Sequence, residues 1–178
     1  MERYLALLGA INVGGNRLSM ADLRYALERE GFEDVGTVVA SGNVLFSFDD
    51  RPSGGLAELL AFVIKDRFDI DSFAVVLKRD ELQAAIADNP FHGDGEDAKV
   101  HTHFVSGDVS REQFDTLCAN HAGRGPERLA LGERAIHIDY VDGLGNSRLT
   151  TPFLEKRLGQ RGTARNMRSL KRILEKMD

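Results

Sequence analysis

The sequence predicts an α+β protein with two consecutive halves that share the element order βαββαβ and carry antiparallel sheets. Two observations predict this class. Short apolar runs typical of strands alternate with segments whose apolar residues recur at helical spacing, and the same order begins again near residue 98. We therefore assign a first half to residues 1–78, a connecting helix and loop to residues 79–97, and a second half to residues 98–178.

The first half begins with a nearly continuous apolar run, residues 3–13, as expected of a strand that is buried on both faces. A helix follows, because Ser19 and Asp22 resemble a capping box and Gly31 provides a left-handed residue at the end. Two strands hinged at Ser41-Gly42-Asn43, a second helix and a last strand complete the half, at residues 35–40, 44–48, 56–64 and 73–77. This order is that of the split βαβ, or ferredoxin-like, unit.

The second half follows a connecting helix that ends before Asn89-Pro90, since the residue before a proline leaves the helical region. Ser110 and Thr151 are interpreted as caps that begin two further helices. Three strands are predicted at residues 100–106, 128–131 and 135–141. A basic C-terminal helix at residues 166–177 replaces the final strand, so this half reads βαββα followed by an extra helix.

Composition and charge limit the classes of function. The net charge is −5, and the segment from Arg148 to the C-terminus carries nine Lys or Arg and three Asp or Glu, which leaves −11 for the rest of the chain. The lone Cys118 cannot form an internal disulfide and is interpreted as a core thiol. Because neither a leader-like start nor an apolar stretch of about 18 residues is found, we expect a cytoplasmic protein with no membrane contact.

The histidines form two pairs on predicted strands. His101 and His103 share one face of their strand, and His137 and Asp139 share one face of a later strand. We expect both pairs on the open face of the sheet, with the helix-covered face formed by Val100, Phe104, Ile136, Ile138 and Tyr140. Three explanations are open: solvated side chains or packing between the two halves, which we favour, a metal site, or a nucleic-acid surface.

The segment after the first strand contains a glycine pair that resembles a weak phosphate loop. Gly14 and Gly15 let backbone N–H groups turn toward an anion, and Asn12 is a further polar group there. The segment has neither the dinucleotide glycine spacing nor the ending of a P-loop. An ordinary tight turn is therefore the favoured alternative.

Two later segments also have features that favour anions. Thr163, Arg165 and Asn166 precede the basic helix, where free backbone donors, the positive helix end and a guanidinium group converge. Ser147 and Arg148 follow two glycines between a strand and a helix. The alternatives are a helix N-cap for the first segment and a tight connection for the second.

Five motifs resemble the bacterial family known as domain of unknown function 1697. They are YLALLGAINVGG, SGNVLF, NPF, DGLGNSRLT and GTARN, at residues 4–15, 41–46, 89–91, 142–150 and 162–166. The resemblance covers essentially the whole chain and implies a fold, but no assigned activity. The family commonly has Arg-Gly in place of Gly9-Ala10 and Trp in place of Met167, so a ligand contact made by that Arg or Trp in relatives is absent here.

Together these motifs predict a small-molecule anion-binding protein, with a phosphate or nucleotide-like ligand and possible enzymatic activity on it. The expected ligand residues are Asn12, Gly14, Gly15, Ser147, Arg148, Thr163, Arg165 and Asn166. Nucleic-acid binding and protein interaction are the alternatives, motivated by the basic C-terminal segment. The pattern contains no nucleophile or general base from which to write a reaction, and it predicts neither a cofactor, nor a bound metal, nor a particular oligomeric state.

Overall fold

The computed structural model describes residues 1–11 and 17–178, with Ser41 described for its backbone only. The chain forms two compact units. The first contains Met1–Leu82 and Ile173–Asp178, and the second contains Gln83–Arg172. No helix in the described part of the chain is both long and apolar enough to cross a membrane.

The first unit has one four-stranded antiparallel sheet with the strand order β2-β3-β1-β4. Its elements are β1 (Glu2–Gly9), α1 (Met20–Arg29), β2 (Glu33–Val38), β3 (Ala40–Phe48), α2 (Ser53–Phe68) and β4 (Phe73–Lys78). Helix α3 (Arg79–Ala87) follows directly. Since the first and third strands are adjacent and central, the ferredoxin-like order predicted for this half is confirmed.

The second unit repeats the arrangement with the strand order β6-β7-β5-β8, again antiparallel. Its elements are β5 (Val100–Val105), α4 (Arg111–His121), β6 (Arg128–Gly132), β7 (Ala135–Asp139), α5 (Thr151–Leu158) and β8 (Gly162–Asn166), with a short 3-10 turn at Leu144–Asn146. The C-terminal helix α6 (Met167–Met177) follows β8. The α+β class and the two tandem βαββαβ halves with an extra helix are therefore confirmed.

The prediction that a helix replaces the last strand of the second half was wrong. Residues 162–166 form β8, which pairs with β5 from Val105↔Gly162 to His101↔Asn166. Strand β8 lies at the edge of the sheet and forms backbone hydrogen bonds with one neighbouring strand only. Its sequence lacks the alternation of apolar and polar residues that is typical of a strand, which is why it was not predicted. Helix α6 begins one residue later than predicted, and the Asn166 Oδ1 atom accepts a hydrogen bond from the Ser169 N–H at 2.8 Å.

Two predictions about the first half also need correction. The hinge between β2 and β3 is not at Ser41-Gly42-Asn43, which lies inside β3; the chain turns at Val39, with φ 67°. Strand β1 ends at Gly9 and not at residue 13, since Ala10 has φ 58° and a strand cannot continue through the left-handed region. Apolar runs conceal such turns because the turning residues are themselves apolar.

One face of the second sheet packs against helices α4 and α5. The core between them contains Val105, Phe114, Leu117, Ile136, Ile138, Tyr140, Leu149, Phe153, Leu154 and Leu158. Helix α4 begins with the predicted capping box, in which Ser110 and Gln113 bond each other's backbone N–H groups. Helix α5 is capped by Thr150 and not by Thr151, with the Thr150 hydroxyl accepting from the Phe153 N–H. These two caps fix where both helices begin.

Gly162 makes a testable contact in β8. A Cβ atom added there meets the His103 ring at Nε2 and lies 2.8 Å from the Phe104 carbonyl oxygen. We expect Gly162→Ala to lower the free energy of unfolding by about 1–3 kcal/mol, because the backbone oxygen cannot move aside cheaply. Urea denaturation measures this change.

Gly145→Ala is the matched control for this substitution. A Cβ atom at Gly145 meets nothing within 4 Å, so we expect a change within about 0.5 kcal/mol. Equal stability of the Gly162→Ala and Gly145→Ala variants would contradict the close packing of His103 on β8.

Candidate anion site

The residues predicted to bind an anion do not form one described group. Asn12, Gly14 and Gly15 lie outside the described residues. Ser147 and Arg148 lie in the loop before α5, where the Ser147 Oγ atom accepts from the Leu149 N–H at 3.0 Å and the Arg148 side chain is exposed. That hydrogen bond supports the tight connection that was the alternative reading of this loop.

The structure brings Thr163 and Arg165 together on one face of β8. The Arg165 Nη1 atom donates to the Thr163 Oγ1 atom at 2.6 Å and to the Ala164 carbonyl oxygen at 2.9 Å. Burial lowers the pKa of Arg165 to about 10. Asn166 follows on the opposite face, where its side chain caps α6. The predicted N-cap role of Asn166 is therefore confirmed.

The expectation that both histidine pairs share the open face was wrong, because the register of β5 and β7 differs by one residue from the expected one. His101 pairs with Ile138 and His103 with Ile136, so these two histidines lie on the helix-covered face. His137 pairs with Thr102 on the other face. All of these side chains are buried, His103 completely.

Polar packing accounts for His137 and Asp139. The His137 Nδ1 atom is 3.0 Å from the Thr102 hydroxyl, and the Asp139 carboxylate accepts from Arg128 and from the Val141 N–H. Burial lowers the pKa of His137 to about 4. Within the described ranges, no three His, Cys, Asp or Glu side chains are grouped so that they could hold a metal ion.

A pair of arginines on one aromatic ring was not found from the sequence. The Arg157 Cζ atom lies 3.4 Å from the centroid of the Phe153 ring, and the Arg124 Cζ atom lies 4.3 Å from it. The two guanidinium carbons are therefore no more than 7.7 Å apart, the sum of these distances. The Arg124 Nη2 atom also donates to the Arg148 carbonyl oxygen at 3.4 Å, so the predicted loop lies beside the pair. We call Arg124, Arg148 and Arg157 the arginine cluster.

Local structure places each member of the arginine cluster. Arg157 is four residues after Phe153 on α5, and its Nη1 atom donates to the Phe153 carbonyl oxygen at 3.3 Å. Arg124 follows the end of α4, where Gly123 has φ 77° and reverses the chain. The spacing of Phe153 and Arg157 was a signal available in the sequence. The position of Arg124 was not, since it depends on how α4 and α5 pack.

The arginine cluster has no acidic partner among the described residues. In the part of the chain that the structure describes, none of its three guanidinium groups forms an ion pair, whereas Arg128 binds Asp94 and Asp139, and Arg111 binds Asp115. The Nε atoms of Arg124 and Arg157 are buried and have no hydrogen-bond partner among the described residues. Both side chains are otherwise partly exposed, so a ligand can reach them.

His103 gives a prediction about acid stability. Burial lowers the pKa of His103 to about 4, whereas an unfolded histidine has a pKa near 6.5. As the pH falls from 6.5 to about 4, the unfolded state binds the proton first, and each such histidine lowers the free energy of unfolding by about 1.4 kcal/mol per pH unit. We expect His103→Leu to make this decline shallower by that amount, measured by urea denaturation at several pH values.

The exposed His92 provides the control, because His92→Gln removes one histidine without changing the core. A decline that is as steep in His103→Leu as in the unmodified chain would show that His103 accepts a proton in the folded state.

Comparison with known proteins gives the family of the chain. The chain is similar to the solved structure of a conserved bacterial protein from Streptococcus pneumoniae, with a TM-score of 0.74 and 25% sequence identity over 99% of this chain and 98% of that one. No curated protein matches the chain. The family model described as "Protein of unknown function (DUF1697)" matches residues 1–137, a range that includes Arg124 and ends before Arg148 and Arg157. The chain therefore belongs to the DUF1697 family of proteins of unknown function.

Proposed function

We propose that the protein binds a small anion of the phosphate class at the arginine cluster. The observation that carries this proposal is the placement of Arg124 and Arg157 on one Phe153 ring without an acidic partner in the described chain. The backbone carbonyl of Arg148, one of the ligand residues predicted from the sequence, accepts a hydrogen bond from Arg124. Ser147 precedes it in the same loop and offers a hydroxyl group.

Electrostatics favours an anion at this position. Two unit positive charges no more than 7.7 Å apart repel each other by at least about 2 kcal/mol at an effective dielectric constant of about 20, before screening by salt. An anion in contact with both guanidinium groups adds two attractions that offset this repulsion. Guanidinium groups also match the oxygens of phosphate in geometry, because two parallel N–H groups can donate to one anion.

The surroundings of Phe153 limit the kind of ligand. The Phe153 ring is buried, and two guanidinium groups lie over it, so little of the ring is left on which a nucleobase could stack. Recognition at the arginine cluster therefore depends on the charge of the ligand. Inorganic phosphate or the phosphate group of a monoester fits this requirement better than the base of a nucleotide.

One of the two observations that motivated the nucleic-acid alternative is not met by the structure. Its expected surface was the open face of β5 and β7, but His101, His103 and His137 are buried. The basic segment from Arg148 to the C-terminus remains in its favour. Because no specific contact in either unit favours it, we retain the small anion as the proposed ligand.

We expect Arg124→Gln and Arg157→Gln each to weaken the binding of inorganic phosphate at least tenfold. Each substitution removes one charged donor, and a hydrogen bond to a charged group contributes about 1.5–3 kcal/mol, where about 1.4 kcal/mol corresponds to a factor of ten. Isothermal titration calorimetry at low salt measures the dissociation constant.

Arg111→Gln is the matched control for charge and for aromatic packing. Arg111 begins α4, at the opposite end from His121, and its guanidinium also lies over an aromatic ring, that of Phe114. We expect it to leave phosphate affinity within about twofold, because exposed ion pairs contribute little. Equal losses in all three variants would indicate a general charge effect and overturn the proposed site.

We also expect single-stranded RNA or DNA of about 20 nucleotides not to bind at about 0.15 M salt. Binding through phosphate contacts alone is strongly weakened by salt. Fluorescence anisotropy at several salt concentrations tests this. Submicromolar binding at that salt concentration would favour the nucleic-acid alternative over the small anion.

A further inference from the structure

A buried pair of titratable side chains lies behind the arginine cluster. The side chains of His121, the last residue of α4, and Glu127 are only 7% and 3% exposed. The His121 Nε2 atom and the Glu127 Oε1 atom are 3.2 Å apart, within ion-pair distance, but neither atom has a hydrogen-bond partner among the described residues. A Cβ atom at Gly125 would lie within 2.8 Å of both Glu127 oxygens, so the carboxylate folds back over this glycine.

The pair is connected to the arginine cluster through Phe153. The ring centroids of His121 and Phe153 are 6.5 Å apart, and the guanidinium groups of Arg124 and Arg157 lie over that same Phe153 ring. Buried polar atoms that have no hydrogen-bond partner in the described chain are therefore concentrated around Phe153. They belong to His121, Arg124, Glu127 and Arg157. Since an unpaired buried polar group costs about 1–3 kcal/mol, such a concentration is typical of a functional site.

Charged side chains next to His121, or next to the Phe153 ring beside it, come from three neighbouring segments. Glu127 precedes β6, Arg124 follows α4, and Arg157 lies on α5. Tyr140, after β7, interacts with Glu127, and burial together with that carboxylate raises the pKa of Tyr140 to about 12. Tyr140 is thus neutral near pH 7, with its hydroxyl donating to the Leu149 carbonyl oxygen at 3.4 Å. Of the groups named here, Glu127 carries the negative charge and Arg124 and Arg157 carry the positive charges.

We propose that anion binding at the arginine cluster is coupled to the uptake of a proton by the pair of His121 and Glu127. This inference rests on the proposed function. In the free protein, the positive charges of Arg124 and Arg157 oppose a further positive charge on the imidazole. A bound anion neutralises them, and the Glu127 carboxylate, 3.2 Å away, then stabilises the imidazolium. The proton comes from solvent, and no covalent bond between heavy atoms forms or breaks.

Thermodynamic linkage gives this coupling a measurable sign. If anion binding takes up a proton, then lowering the pH must strengthen anion binding, since the coupling is reciprocal. For one proton taken up per anion bound, the affinity rises by up to about tenfold per pH unit. The protein would thus retain its anion more tightly in a more acidic solution.

Calorimetry with sulfate tests the coupling directly, because sulfate carries a constant charge near neutral pH. Titrations at pH 6.5 in two buffers of different ionisation enthalpy give the number of protons taken up per anion bound. We expect between about 0.3 and 1 proton for the full chain. We expect His121→Gln to reduce this number to about zero while sulfate still binds, and we expect His92→Gln, at an exposed position, to leave it unchanged.

The outcomes separate this inference from the proposed function. Sulfate binding that depends on Arg124 but takes up no proton would overturn the coupling and leave the anion site in place. Undetectable sulfate binding, or binding that Arg124→Gln does not weaken, would overturn both. If His121→Gln does not fold, Glu127→Gln replaces it, since loss of the carboxylate must also reduce proton uptake. Uptake that is unchanged in the folded variant would also overturn the coupling.

Discussion

The hydrogen-bonded ladder between β5 and β7 is the constraint on which the second unit depends. It sets Val100 opposite Asp139 and Phe104 opposite Ala135, and thereby decides which side chains meet the helices. A shift of one residue would exchange the two faces of each strand. With the observed register, Ile136 and Ile138 face α4 and α5 and provide the apolar surface on which these helices pack. The helix positions in turn determine where Arg124 and Arg157 lie.

Phe153 links this packing to the proposed chemistry. As a buried residue of the α5 face, it contributes to the core, and its ring also orients two guanidinium groups. A cation over an aromatic face gains about 0.5–2 kcal/mol, which helps to offset the repulsion between neighbouring arginines. The fold therefore holds unneutralised positive charge at a partly exposed position. This arrangement favours an anionic ligand, and the His121 and Glu127 pair behind it gives the site a means of responding to protons.

The two histidine environments of the second unit show how packing separates structural from functional groups. His137 has a hydroxyl partner, and His103 lies against Gly162 in a fully buried position where the charged form is disfavoured. His121 instead lies next to a carboxylate and near two arginines. The three histidines therefore have different surroundings within one unit, and burial and neighbouring charge are the factors that set the protonation state of a histidine.

The sequence by itself determined the class and the order of elements, because helical spacing, capping residues and apolar runs are local signals. The Ser110 capping box and the βαββαβ order of the first half followed from these signals, whereas the family resemblance followed from the five sequence motifs. It also indicated Arg148 and Ser147 as polar groups near a helix start. Only the tertiary structure decided the rest. The edge strand β8 lacks an apolar pattern, and the meeting of Arg124 with Arg157 depends on strand register and helix packing. Those interactions join residues far apart in the chain, so no local pattern encodes them.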